Sequence, residues 1–412
     1  MELPAGGRLP TGRLLTGLRL AGYGAAYFFA AGAFMSYWPV WLRDRGVTDT
    51  EIGTLFMSRQ IVSVIATLSV GWIAHRLGGP RGVMVVLGAA AAVMIGAYDL
   101  SHSFLAIFAV TMVWGFMWSP PMPLYDGVLV TETKRHGLDY ARVRMWSSVA
   151  FIAGTFAAGI AVDRYGPPWV LYVGFVSIVF LAPFALLLPA APARPASTDA
   201  TRSTFRIRDL LQSPAFLLFL AACGLCQASH SVLYSFGTLT WRAAGIDDVT
   251  ISLLWAESVA VEIVLMLFGG WLLKRLGACG LIALGLGAGM VRWTGMAFTT
   301  ELWALVLLQA LHSCTFAACH LGAMAFLQRA LPAHGAAIGQ SLYYALGTGI
   351  TQALVFQFSG LLYAAYGQRA FLGMVAVSSV GMCALLLLAR TWHGGLLVGN
   401  SGEEKGPSLR SG

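Results

Sequence analysis

Charge is scarce in this chain. Only 11% of its 412 residues are Asp, Glu, Lys or Arg, whereas a soluble domain carries about 25%. So few charges cannot cover a water-facing globule, so most of the outer surface must face lipid. Acid is scarcer than base, with 18 Asp and Glu against 26 Lys and Arg. No single face collects the basic excess, which argues against a nucleic-acid partner. The six cysteines all fall inside apolar runs. Cys223 and Cys226 have CxxC spacing but no second pair to complete a zinc site, so they read as small packing residues. No nucleophile–base pair, metal triad or large catalytic loop is evident. A membrane-embedded acyltransferase using His312 or His320 as base is therefore a remote alternative, and neither an enzyme, a metal nor a cofactor is expected.

What the chain has instead is apolar length. Hydrophobic residues make up 58%, in repeated runs of 18 or more, each able to cross about 30 Å of hydrocarbon as a helix. The spans are expected near 19–42, 52–74, 82–100, 103–131, 140–163, 168–190, 213–241, 250–273, 278–299, 302–328, 335–365 and 370–390. In lipid the backbone must satisfy itself, so an all-α membrane protein of twelve transmembrane helices follows. Of the 26 Lys and Arg, four lie inside spans (Arg59, Arg142, Arg144 and Arg292). Five fall on one side (Arg43, Arg45, Arg164, Arg242 and Arg369) and the remaining seventeen on the other. The positive-inside rule then puts both termini in the cytoplasm, in a bacterial inner membrane. The first apolar segment is too long for a signal peptide and reads as retained.

Residues 191–212 are polar, basic and proline-containing, and separate six spans from six. The expected division is a bundle over 1–190, a cytoplasmic linker over 191–212, a second bundle over 213–392 and a tail over 393–412. The halves echo each other. Gly71-Trp-Ile-Ala-His-Arg-Leu-Gly78 reappears as Gly270-Trp-Leu-Leu-Lys-Arg-Leu-Gly277, and a second glycine-bounded octet at 159–166 reappears at 360–367. Nearly equal offsets indicate parallel six-helix repeats, a transporter plan.

A charge near the bilayer centre costs about 2.5–3.5 kcal/mol on insertion scales, so each buried charge needs a partner or a function. At 1.5 Å per residue, Asp126 lies about 9 Å above Glu132 and Arg144 about 7.5 Å above Asp139, on consecutive antiparallel spans. The two are expected to pair. Glu262, Arg292 and His312 lie at similar depth and suggest a second cluster, with His320 about two turns from His312. Arg59 is expected to snorkel or pair locally, and Glu257 to face away from Glu262. Pro120, Pro121 and Pro123 would bend span 4 just before Asp126, where a cavity or packed protein can satisfy the freed carbonyls. Aromatic and polar residues elsewhere, including Tyr27 on span 1 and Gln340 and Tyr343 on span 11, would suit a flat organic ligand.

The glycine-bounded turns after spans 2 and 8 resemble a degenerate form of the major facilitator superfamily loop signature, with His75 and Lys274 in place of its aspartate. Asp139-Tyr-Ala-Arg142-Val-Arg144, Ser119-Pro-x-x-Pro-Leu-x-Asp126, Gln227-x-x-His230 with Tyr234, Val291-Arg292-Trp293 and Leu311-His312-x-x-Thr315 resemble the 3-phenylpropionic acid transporter family, related to lactose-permease-type proton symporters. That resemblance implies two pseudo-symmetric six-helix bundles. It also implies that Asp126, Arg144, Tyr27, His230, Tyr234, Gln340 and Tyr343 bind substrate, and that Glu262, Arg292, His312 and His320 couple protons. Thr315 stands where the sugar permeases place a glutamate. The expected function is proton-coupled import of a small organic acid, such as the aromatic monocarboxylate 3-phenylpropionate, by a monomer whose partners are its substrate, protons and the lipid bilayer. The alternatives are an oligosaccharide or nucleoside symporter and a drug exporter. A carboxylate substrate would need a cation, and Arg144 and Arg292 are the two expected to be available.

Overall fold

The computed structural model describes residues 11–189 and 207–397. The first ten residues, most of the expected linker and most of the expected tail lie outside the described residues. Within them the chain is helical, and no strand occurs among the described residues. Ten helical stretches are long and apolar enough to cross a membrane. One of them, Gly335–Thr391, has 57 residues and turns back at Gly367 (φ 54°), so it holds two crossings. The 34-residue helix Thr11–Asp44 supplies a further one, and the expected twelve result.

Spans 1 to 3 are Thr11–Asp44, Asp49–Arg76 and Pro80–Asp99. Span 4 is broken into Phe104–Trp118 and Pro121–His136, span 5 is Tyr140–Tyr165, and span 6 is Trp169–Ile178 with Leu181–Leu187. Span 7 breaks between Pro214–Ala228 and Ser231–Ala243. Span 8 starts at Asp248–Leu267 and continues into Gly269–Phe298, which turns at Gly277 to become span 9. Spans 10 and 11 contain wider π-turns at Ser313–Ala318 and Tyr343–Ile350. Span 12 is Phe371–Thr391.

Local sequence explains the ends. Thr48 and Glu51 form a reciprocal capping box at span 2. Ser103, Asp139, Ser213 and Asp247 each accept a main-chain N–H at the start of a helix. Asp247 accepts from both the hydroxyl (2.7 Å) and the amide (2.9 Å) of Thr250, which holds its carboxyl below the usual range. Span 4 ends at Gly137, whose φ of 61° suits glycine.

The spans sort into two groups of six with matching internal contacts. A side chain at Gly32 or Gly154 would strike the backbone of the facing helix, so glycine lets spans 1 and 5 touch. Gly224 packs on Gly347 in the same way between spans 7 and 11. The groups meet at the end of the bundle where span 1 finishes. There the Tyr37 hydroxyl donates to the carbonyl of Asp248 and bonds Ser252 Oγ at 2.7 Å. Thr238 donates to Ser36 O at 2.6 Å, and Ser252 to Thr155 O at 3.1 Å. Gly53 and Gly360 allow spans 2 and 11 to cross almost backbone to backbone: a Cβ added at Gly53 would sit 2.9 Å from the Cα of Gly360. Among the described residues, these are the hydrogen bonds that join the halves, and all lie at this end.

Candidate functional site

Beyond that closure the halves part around a cavity of about 510 Å³, inside the range of roughly 300–1,000 Å³ typical of small-ligand sites. Its wall is chiefly aromatic. Span 1 contributes Phe34 and Trp38, span 4 Trp114 and Trp118, and the second half Phe316 and Phe356. Residues 114 and 118 are one helical turn apart, so their rings stack at 4.9 Å and 13°. The stack continues onto Tyr27 at 4.3 Å and 10°. Where the prolines break span 4, the Trp118 carbonyl accepts from the Tyr27 hydroxyl at 3.2 Å. Tyr27 thus backs the wall. The break beside Asp126 lies where the prolines led us to expect it.

Besides the phenols of Tyr98 and Tyr234, four ionisable side chains face this cavity: Arg59, Arg144, Glu262 and His312. Arg144 is positioned by the short turn Gly137–Asp139, in which Asp139 accepts the amides of Ala141 (2.9 Å) and Arg142 (3.3 Å). Its Nε lies 4.0 Å from Asp126 Oδ1, a loose pair in which both side chains keep solvent exposure. Its guanidinium covers the Phe28 ring at 4.3 Å. The sequence-based pairing of Asp126 with Arg144 is therefore present in space.

The second cluster is arranged differently from expectation. Arg292 has no exposed surface. Its Nη1 donates to His312 Nδ1 (3.0 Å) and Thr315 Oγ1 (3.1 Å), and its Nη2 donates to Gln309 Oε1. Thr315 Oγ1 also meets His230 Nε2 at 2.9 Å, while His230 Nδ1 donates to Gln227 O at 3.0 Å. Thr315 thus links span 7 to spans 9 and 10. Glu262 faces the same cavity as Arg144 of the other half. One expectation is corrected. Arg292 is enclosed by neutral partners behind His312 and cannot be a free cation in the cavity. Glu257, expected to face away from Glu262, does not line the cavity that Glu262 faces.

Tyr234 lines the cavity, and His230 stacks behind it at 5.5 Å. Gln340, Tyr343 and His320 lie elsewhere. Tyr343 is fully buried in an apolar cluster with Phe219. Its ring sits 6.4 Å from that of His320, and Gln340 is exposed. The reason is geometric: each π-turn adds a residue to its turn and rotates what flanks it away from the ideal 3.6-residue face.

Arg59 is the residue that sequence reasoning missed. Expected to snorkel or pair locally, it lines the cavity instead. Gly115 on span 4 gives it room, since a Cβ there would sit 3.2 Å from Arg59 Cγ. The usable signal was the absence of any acidic residue in span 2 beyond its first turn.

The sequence profile of the MFS_1 like family matches residues 18–373. The chain is 28% identical over 359 residues to a probable 3-phenylpropionic acid transporter of Escherichia coli strain K12, covering 86% of this chain and 93% of that one. It is 25% identical over 380 residues to the maltose permease of Geobacillus stearothermophilus, covering 92% and 94%. Among solved structures, a mutant of the nucleoside transporter NupG superposes with a TM-score of 0.82 at 17% identity, over 90% of this chain and 99% of that one.

Proposed function

The chain belongs to the MFS_1 like family of major facilitator transporters, and from that premise we propose that it imports an aromatic monocarboxylate such as 3-phenylpropionate together with protons. The observation that carries the reading is the cavity itself, an aromatic wall interrupted by two guanidinium groups and one carboxylate. Aromatic rings suit a flat apolar body, and a carboxylate entering a low-dielectric site needs a cation there. The relative named for 3-phenylpropionic acid supports the same substrate class.

In this reading the protein is a monomer in a bacterial inner membrane with both termini cytoplasmic, and the Asp44 end is the outer face. The closure at that end then corresponds to a form open toward the cytoplasm, one half of an alternating-access cycle. Asp126 and Arg144 act on the substrate with Tyr234. Glu262 carries the proton: protonated, it releases Arg144, and the cavity gains the positive charge that an anion requires. His312, fixed by Arg292, lines the same cavity and passes the change on to spans 7 and 9.

A second reading, a neutral hydroxylated solute, is favoured by one feature. Asp126 and Arg144 are only loosely paired and could offer an acceptor and a donor to the same hydroxyl. Uptake of radiolabelled 3-phenylpropionate, maltose and uridine into vesicles separates the two. Saturable uptake of the acid alone is expected, and uptake of maltose or uridine without the acid would overturn the first reading.

A further inference from the structure

The cavity's two arginines are not equivalent. Arg144 has Asp126 at 4.0 Å and lies over the Phe28 ring at 4.3 Å. Arg59, about 15 Å along span 2 from Asp49 at 1.5 Å per residue, makes no hydrogen bond or ion pair among the described residues. Its guanidinium lies 5.8 Å from the Phe56 ring; Tyr98 lines the same cavity, and Tyr27 stacks behind its Trp118 wall. Both hydroxyl protons are already donated, to Thr111 Oγ1 at 3.1 Å and to Trp118 O at 3.2 Å. Each phenol therefore presents only oxygen lone pairs or its ring.

A cation at this depth with a ring contact but no hydrogen bond or ion pair among the described residues is incompletely compensated, since a cation–π contact is weaker than a charge-assisted hydrogen bond. It also lines the same cavity as Trp114 and Trp118, and Gly115 brings span 4 against its stem. A flat ligand held against this aromatic wall would bring its acidic group to the fork of Arg59, while Arg144, released when Glu262 is protonated, supplies the second positive charge of the cavity.

We propose that Arg59 is the carboxylate anchor of the transported anion and the residue that selects aryl carboxylates over neutral aromatic solutes. This rests on the reading of the substrate as an aromatic carboxylate. Arg59 touches the ligand's charge, the tryptophans its ring, and the Arg144–Glu262 side responds to protons.

The test measures binding of 3-phenylpropionate and its amide to the purified full chain in nanodiscs, for the wild type, Arg59→Gln and Arg59→Lys. The wild type should prefer the acid. Arg59→Gln should lose about tenfold to a hundredfold of acid affinity while binding the amide as before, and Arg59→Lys should recover part of the loss. In the wild type, phenylglyoxal modification of Arg59, read by peptide mass, should be slowed by the acid and not by the amide. This measurement needs no variant to fold. Unchanged acid affinity in Arg59→Gln, or modification that the acid does not slow, overturns the anchor while leaving the substrate class standing. A wild type that binds no aromatic acid at all overturns the substrate class and the anchor with it.

Discussion

Arg292 Nη1 donates to Nδ1 of His312 at 3.0 Å. A guanidinium has only donors, so this Nδ1 must accept and the imidazole is neutral in this conformation. A second proton on His312 would face the arginine and break the contact. Thr315 completes the arrangement by accepting from Arg292 and meeting His230. Thr315→Val keeps the shape but strips the shared oxygen, leaving a buried guanidinium N–H and a histidine nitrogen unpaired. We expect it to lower stability by about 1–3 kcal/mol, seen as a lower thermal midpoint in detergent. An unchanged midpoint would deny Thr315 this linking role.

For Asp126 and Arg144, neutralising either should abolish accumulation of substrate. Asp126→Glu and Arg144→Lys should each keep partial transport. Arg144→Lys should fare worse, since a point charge replaces a planar fork over Phe28. Initial uptake rates in vesicles rank them, and full activity in Arg144→Ala would remove the pair from the mechanism.

Glu262 should separate exchange from accumulation. With Glu262→Gln the cavity is fixed in its protonated charge state. Counterflow of labelled for unlabelled substrate should then persist, while uphill uptake driven by an inward proton gradient should fail. The mutant's exchange rate should also vary less with pH than the wild type's. A mutant that still concentrates substrate would place the coupling group elsewhere.

The closure at the Asp44 end depends on two glycines with no room for a side chain. Gly159 sits against Tyr37 and Ser252, and Gly53 against Gly360. Gly159→Leu or Gly53→Val should hold the halves apart there. A cysteine substituted for Phe356 in the cavity wall should then react faster with an impermeant maleimide added from that face. Equal labelling in parent and mutant would contradict the role assigned to these contacts.

The sequence carried the fold because the bilayer sets the length of an apolar run. The nearness of Asp126 to Arg144 was legible for a similar reason, as only the turn Gly137–Asp139 separates their spans. What escaped was azimuth, the direction in which each helix presents its side chains. Arg59 and Arg292 exchanged their expected roles because close packing at Gly115 and a ring of neutral acceptors decide which arginine meets the cavity. Gln340, Tyr343 and His320 were expected at the site from residue type and resemblance, neither of which carries azimuth, and their spans contain the π-turns at Ser313–Ala318 and Tyr343–Ile350.

The central claim is that an aromatic carboxylate and protons move together through this cavity. The most direct measurement follows external pH when 3-phenylpropionate is added to de-energised, weakly buffered vesicles containing the protein. The account predicts alkalinisation in the wild type, none in Glu262→Gln, and none on adding maltose or uridine. Alkalinisation on adding maltose or uridine, with none for the acid, would contradict it.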